Sequence, residues 1–223
     1  MDNNTNTKKN KLRYTALGDS ITVGVGSASL HYKGYVPRFE EFTEIALGVR
    51  LKTRNFAHSG DTTEEILRKV MKKEVFKRVL RSDIITITAG GNDLIQAAKV
   101  FFKTYEEDAL FEALVRCKEN MTKLLCAIAE EKEKHKKPYI VRICNLYNPY
   151  SEVQSAVKWV GLFNEHLESF CRFPNVKIAD LYSAFLGREK DLLWWDSIHP
   201  NSRGYQAIAV ALYELGYSEL LDR

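Results

Sequence analysis

Apolar residues along this 223-residue chain fall into five short alternating or continuous runs, joined by longer stretches in which they recur every three or four positions. These are the two periods of strand and helix. Leu12 to Leu17 alternates into a first strand that stops abruptly at Gly18-Asp19-Ser20. Tyr35 to Leu47 has helical spacing and is closed by Gly48. Arg50 to Ala57 reads as a second strand, after which Asp61 or Thr62 can cap a helix reaching about Leu80. Glu64 and Glu65 suit its first turn, where the helix dipole favours negative charge.

Asp83 to Ala89 is a β-branched, nearly continuous apolar run, as expected of a central parallel strand covered on both faces, and it ends at Gly90-Gly91-Asn92-Asp93. A long helical region from about Tyr105 to Lys134 leads through Pro138 to a fourth strand, Tyr139 to Cys144. A loop from Asn145 to Tyr150, a helix from about Glu152 to Cys171, a short fifth strand from Val176 to Ala179 and a terminal helix from Ser202 to Leu215 complete the pattern. Strands alternating with helices imply right-handed crossovers and an α/β fold with helices on both faces of a parallel sheet. The expected strand order is 2-1-3-4-5, which sets the carboxyl ends of strands 1, 2 and 3 side by side.

Composition narrows the class. Residues 12–223 are expected to form a single domain, preceded by a disordered polar tail over residues 1–11. That tail lacks the apolar stretch of a secretory signal, so the expected location is cytoplasmic. No apolar run approaches the roughly 20 residues of a membrane span, so no integral membrane segment is expected. A formal charge of +4, shared between the tail and a mixed-charge helix end at Lys132 to Lys137, argues against a nucleic-acid partner. Cys117, Cys126, Cys144 and Cys171 have neither zinc-site spacing nor the density of a disulfide scaffold; buried thiols are expected, and no metal.

Candidate chemistry sits where strands end. Ser20, on a turn from strand to helix, can present its hydroxyl as a nucleophile and its N–H as a donor at a helix amino end. His199 can serve as base, and Asp196, three residues earlier, can reach its other ring nitrogen and hold the useful tautomer. Gly60 offers an unobstructed backbone N–H and Asn92 a side-chain amide, so with Ser20 they make three oxyanion donors. Among the other histidines, His58 could line a pocket, His31 lies in a loop, and His135 and His166 read as exposed helix positions. Gly24-Val25-Gly26 hints at a phosphate loop, but the glycines of a dinucleotide fingerprint fall elsewhere.

Taken in order, Tyr14 to Ile21, Ala57 to Gly60, Gly90 to Asp93 and Asp196 to Asn201 resemble conserved blocks I, II, III and V of the GDSL-type members of the SGNH hydrolase superfamily, across about residues 12 to 215. Ile21 stands where leucine is frequent. The resemblance implies a flavodoxin-like three-layer α/β/α fold with a five-stranded parallel sheet, no cofactor and no metal. It implies Ser20 as nucleophile, His199 as base, Asp196 as its orienting acid, and Ser20, Gly60 and Asn92 as the oxyanion hole. The implied reaction is hydrolysis of a small-molecule acyl ester or lipid through an acyl-serine; a carbohydrate acetylesterase, thioesterase or acyltransferase on the same triad is the alternative. Within the family the chain looks closest to small Bacillus-type lipases, including spore germination lipases, which admits a spore-associated location. Phe101, Phe102, Trp194 and Trp195 are expected near the site and favour an acyl-chain pocket.

Overall fold

A computed structural model describes residues 11–27, 34–173 and 175–221. The polar tail and His31 lie outside the described residues. Strand β1 (Lys11–Leu17) begins one residue earlier than the sequence pattern suggests, with Lys11 paired to Arg50. Ser20–Val23 forms a single helical turn, α1, and α2 spans Val36–Leu47. β2 (Arg50–Asn55), β3 (Ile84–Thr88), β4 (Ile140–Cys144) and β5 (Val176–Ala179) complete a five-stranded sheet of order β2-β1-β3-β4-β5. Every strand pair is parallel.

The predicted helix from residue 62 to 80 is two helices, α3 (Thr63–Val70) and α4 (Lys73–Leu80). Ile66 and Val70 face the core; continued helical phase would bring Lys73, Glu74 and Lys77 round to the same face. Lys72 has an extended backbone and resets the phase so that Val79 is buried. A helix unforeseen in the sequence, α5 (Gly91–Thr104), follows β3 and ends at Tyr105 in the left-handed conformation (φ 60°). After it come α6 (Asp108–Glu133) and, beyond β4, α7 (Gln154–Glu168). Beyond β5 are α8 (Leu181–Phe185), α9 (Glu189–Leu192), α10 (Ser202–Glu214) and α11 (Ser218–Leu221).

Strand alternation divides the core between the two faces of the sheet. Ile85, Ile87, Val141 and Ile143 pack with α3 to α7, whereas Tyr14, Ala16, Ile84 and Ile140 pack with α2 and α8 to α11. β4 breaks the apolar pattern at Arg142, whose side chain is fully buried. One of its terminal nitrogens donates to the Gly216 carbonyl at 2.9 Å and to the Glu219 carboxylate, 3.1 Å away. Burial pushes the guanidinium's pKa down and Glu219 opposes that shift. Of the four thiols, Cys117 and Cys144 are buried as expected, but Cys126 is half-buried and Cys171 exposed. These last two lie on outward-facing positions.

Candidate active site

β1 turns into α1 through Gly18, whose φ of +147° and crowding explain the residue type. A Cβ there would lie 2.3 Å from Thr88 Oγ1 and 2.7 Å from the Thr88 carbonyl oxygen. Asp19 then caps α1, Oδ1 accepting from the Ile21 N–H at 3.0 Å and from the Thr88 hydroxyl at 2.8 Å. Burial raises the Asp19 pKa, and these donors only partly offset it. Behind the carboxylate the hydroxyls of Thr88, Thr22, Tyr35, Thr86 and Tyr14 run in an unbroken chain, with successive oxygens 2.8 to 3.0 Å apart. Ser20 opens α1, so its N–H is one that a helix start leaves without an intrahelical acceptor.

Ser20 Oγ lies 3.0 Å from His199 Nε2, and His199 Nδ1 lies 2.6 Å from Asp196 Oδ2. The other Asp196 oxygen accepts from the backbone N–H groups of Ile198 and His199 at 3.0 and 2.9 Å. Burial acts to raise the Asp196 pKa, but its bonds to the His199 ring and to these two N–H groups outweigh burial and hold it below the usual range. Ser197, in the left-handed conformation (φ 57°), turns the loop tightly enough for one residue to bind both backbone and ring. An antiparallel bridge between Leu193 and Pro200 and a Trp194 N–H to His199 carbonyl bond of 2.7 Å close its neck. Asn201 seals it below, donating to the carbonyls of Asp191 and Leu193 while capping α10 through Arg203 and Gly204. The hinted phosphate loop is packing: at Gly26 a Cβ would meet the Pro200 carbonyl oxygen at 2.7 Å and His199 Cβ at 3.2 Å.

The other two blocks are joined to this one through the backbone. The His58 N–H donates to the Gly18 carbonyl at 3.2 Å, and the Asn92 side-chain amide donates to the Asp61 carbonyl at 2.9 Å. Asp93 accepts from the Thr63 N–H and hydroxyl at 2.9 and 2.7 Å, fastening the start of α5 to that of α3. Asn92 lines the same cavity as Ser20. Gly60 is exposed with φ +89°, at the carboxyl end of β2, and does not line the cavity.

That cavity, about 470 Å³, is walled by α5, by the loop after β4 and by the start of α7. Its walls are overwhelmingly apolar: Ile95, Phe102, Leu146, Val153 and Trp159 are typical, and Lys99 is the one cation among them. Of the four aromatics expected here, Phe101 and Phe102 line it. Trp194 and Trp195 do not. They are carried by the neck of the histidine loop, where Trp195 is 79% exposed and Trp194 packs against Gly26.

His58 does not line the cavity; it is exposed, with Nδ1 3.5 Å from an Asp61 oxygen. His135 is exposed, but His166 is buried, contrary to expectation, edge-on to Phe170. Sequence reasoning passed over Asp19, Thr88, Tyr147 and Trp159. Asp19 was legible as a cap immediately before a helix; the others depend on tertiary contacts. Among the described residues no group of three or more His, Cys, Asp or Glu side chains could hold a metal ion.

A doubly wound sheet of this order, with its cleft at the switch point, is the architecture of the SGNH class of hydrolases. Residues 16–207 match the model of the GDSL-like lipase/acylhydrolase family. The chain is 41% identical to the spore germination lipase LipC of Bacillus licheniformis over 94% of its own length and 98% of the relative's. It is also similar to the crystal structure of a lipase from a goat rumen metagenome, with a TM-score of 0.88 and 41% identity, covering 92% of this chain and 98% of that one. An acetylxylan esterase from Geobacillus stearothermophilus shares the fold, with a TM-score of 0.70 at 19% identity, covering 95% and 97% of the two chains. The chain belongs to the GDSL-like lipase/acylhydrolase family and is an ester-cleaving hydrolase.

Proposed function

We propose that the chain hydrolyses carboxylic esters of medium-length acyl groups through an acyl-serine on Ser20, with His199 as base and Asp196 as its orienting acid. The observation that carries this reading is the continuous line of contacts, 3.0 Å from Ser20 Oγ to Nε2 and 2.6 Å from Nδ1 to Asp196. Ser20 Oγ attacks the acyl carbon as its proton passes to Nε2, and Asp196 stabilises the resulting imidazolium. Negative charge on the former carbonyl oxygen is met by the Ser20 and Gly60 N–H groups and the Asn92 amide. The alkoxide departs with the proton on Nε2, and water then repeats the sequence to free the acid and restore Ser20.

Substrate class follows from the cavity. Asn92 and Phe102 both line it and stand ten residues apart on α5, so it extends about 15 Å along that helix. An extended acyl chain advancing roughly 1.25 Å per carbon would place about a dozen carbons there. An acetyl group would leave most of about 470 Å³ unfilled. The proposed place of work is the cytoplasm or the spore, the second following the name of the Bacillus licheniformis relative.

A serine-directed fluorophosphonate should label the wild-type chain and leave Ser20→Ala unlabelled, with kcat for ester hydrolysis falling by roughly 10⁴ to 10⁶. p-Nitrophenyl esters graded from acetate to palmitate should give the highest kcat/KM between octanoate and laurate. Labelling that persists in Ser20→Ala would overturn the nucleophile. A preference for acetate, or for acetylated sugars, would favour a carbohydrate acetylesterase instead.

A further inference from the structure

Fifteen large apolar side chains stand exposed among the described residues, and nine of them fall within residues 95–115 and 150–157. Scattered singly they would need no explanation; gathered around one opening they do. Ile95, Phe102, Tyr150 and Val153 belong to both sets, lining the cavity and facing solvent. The corner between α5 and α6 carries the patch outward: Tyr105 is 79% exposed and Phe111 61%. Tyr105 is held there by its left-handed backbone, with its ring centroid 6.4 Å from that of Phe101. Glu107 fixes the corner to α7, accepting from Lys158 at 2.6 Å and from the Trp159 indole at 3.3 Å. The aromatic tip is therefore tied to the helix whose Trp159 walls the cavity.

We propose that this face, the α5–α6 corner with the start of α7, docks on a lipid surface, from which an acyl chain passes into the cavity without crossing water. The substrate half of this statement rests on the ester-hydrolase reading above; the docking half rests on the exposed side chains. Continuity between patch and cavity selects the occupant, because a second copy seated on this face would cover the mouth. Lys99 and Lys103 have no carboxylate partner among the described residues and flank Phe102, where lipid phosphates would meet them. Glu106 and Asp108 in the same corner balance them. Insertion of apolar and aromatic side chains at the headgroup level, rather than net charge, carries the attachment.

The test uses phosphatidylcholine vesicles and the full-length chain in a Ser20→Ala background, so that nothing is hydrolysed. The Ser20→Ala protein should sediment with the vesicles, and should do so nearly equally at low and high salt. Adding Tyr105→Ser and Phe111→Ser, neither of which lines the cavity, should weaken sedimentation by about tenfold or more. With Ser20 intact, the same two substitutions should leave hydrolysis of soluble p-nitrophenyl butyrate unchanged, which shows the corner still folded. Vesicle binding equal with and without the two substitutions, no binding at all, or binding abolished by salt would each overturn the proposal. So would a dimer that dissociates on the same substitutions, which would make a second copy the occupant. Failure of ester hydrolysis in the wild type would strike the catalytic reading while leaving docking to be judged by sedimentation.

Discussion

The Tyr147 hydroxyl donates to the Ile198 carbonyl across 2.6 Å, joining the loop after β4 to the peptide immediately before His199. Tyr147 also stacks on Phe185, with centroids 4.4 Å apart and planes 15° from parallel. Tyr147→Phe keeps the stack and deletes only the bond. The expected result is a fall in kcat of about tenfold with KM nearly unchanged, and a stability loss of about 1 kcal/mol. A rise in KM at constant kcat would make Tyr147 a wall of the cavity and nothing more.

Asn92→Ala should lower kcat by about 10² to 10³ with a smaller change in KM, since an oxyanion donor acts chiefly when charge develops. The same substitution removes the bond to the Asp61 carbonyl. Thermal melting run beside the kinetics separates the two losses. A variant whose only defect is weaker substrate binding would reassign Asn92 to positioning.

Ala156 lines the cavity from α7. Ala156→Phe would fill part of its length with a ring, so kcat/KM for laurate relative to butyrate should fall by about tenfold or more. Butyrate hydrolysis itself should change little. An unaltered chain-length profile would mean that the acyl group lies elsewhere.

His166 is buried with no hydrogen-bond partner on either ring nitrogen among the described residues. Burial, aided by Lys118 and Arg172, pushes its pKa down to about 4. The unfolded chain therefore binds this proton at higher pH than the folded one. His166 contributes no penalty above its ordinary value of about 6.5, and stability is lost as pH falls from there toward 4. In His166→Met the melting temperature should hold up better across that window, by several degrees. Parallel melting curves for the two proteins from neutral to acid pH would show that the histidine is not the titrating group.

β3 and β4 were legible because buried parallel strands write themselves as short β-branched runs ending in small polar residues, whereas β2 is largely exposed and showed only its place between two helical stretches. Ser20, Asp196 and His199 were legible as candidates for the same reason, each standing in a turn where a side chain can leave the sheet edge. α5 was missed because Gly90-Gly91-Asn92-Asp93 reads as an open turn, although Leu94, Ala97, Ala98 and Phe101 behind it have helical spacing. Trp194 and Trp195 are expected near the site but lie outside the cavity. The cavity instead takes its indole from α7, which the fold alone brings across. Thr88 and Tyr147 act on groups 69 and 51 residues distant, and no local pattern encodes that.

Arg142 ties the middle of the sheet to the last described helix. β4 lies between β3 and β5, yet its guanidinium finds its carboxylate only at Glu219. Without that carboxylate, a closed sheet would hold an unmatched cation at β4, a cost of several kcal/mol. The helix at the end of the chain and the strand in the middle of the sheet therefore form one cooperative unit, so that fraying of the first is felt in the second.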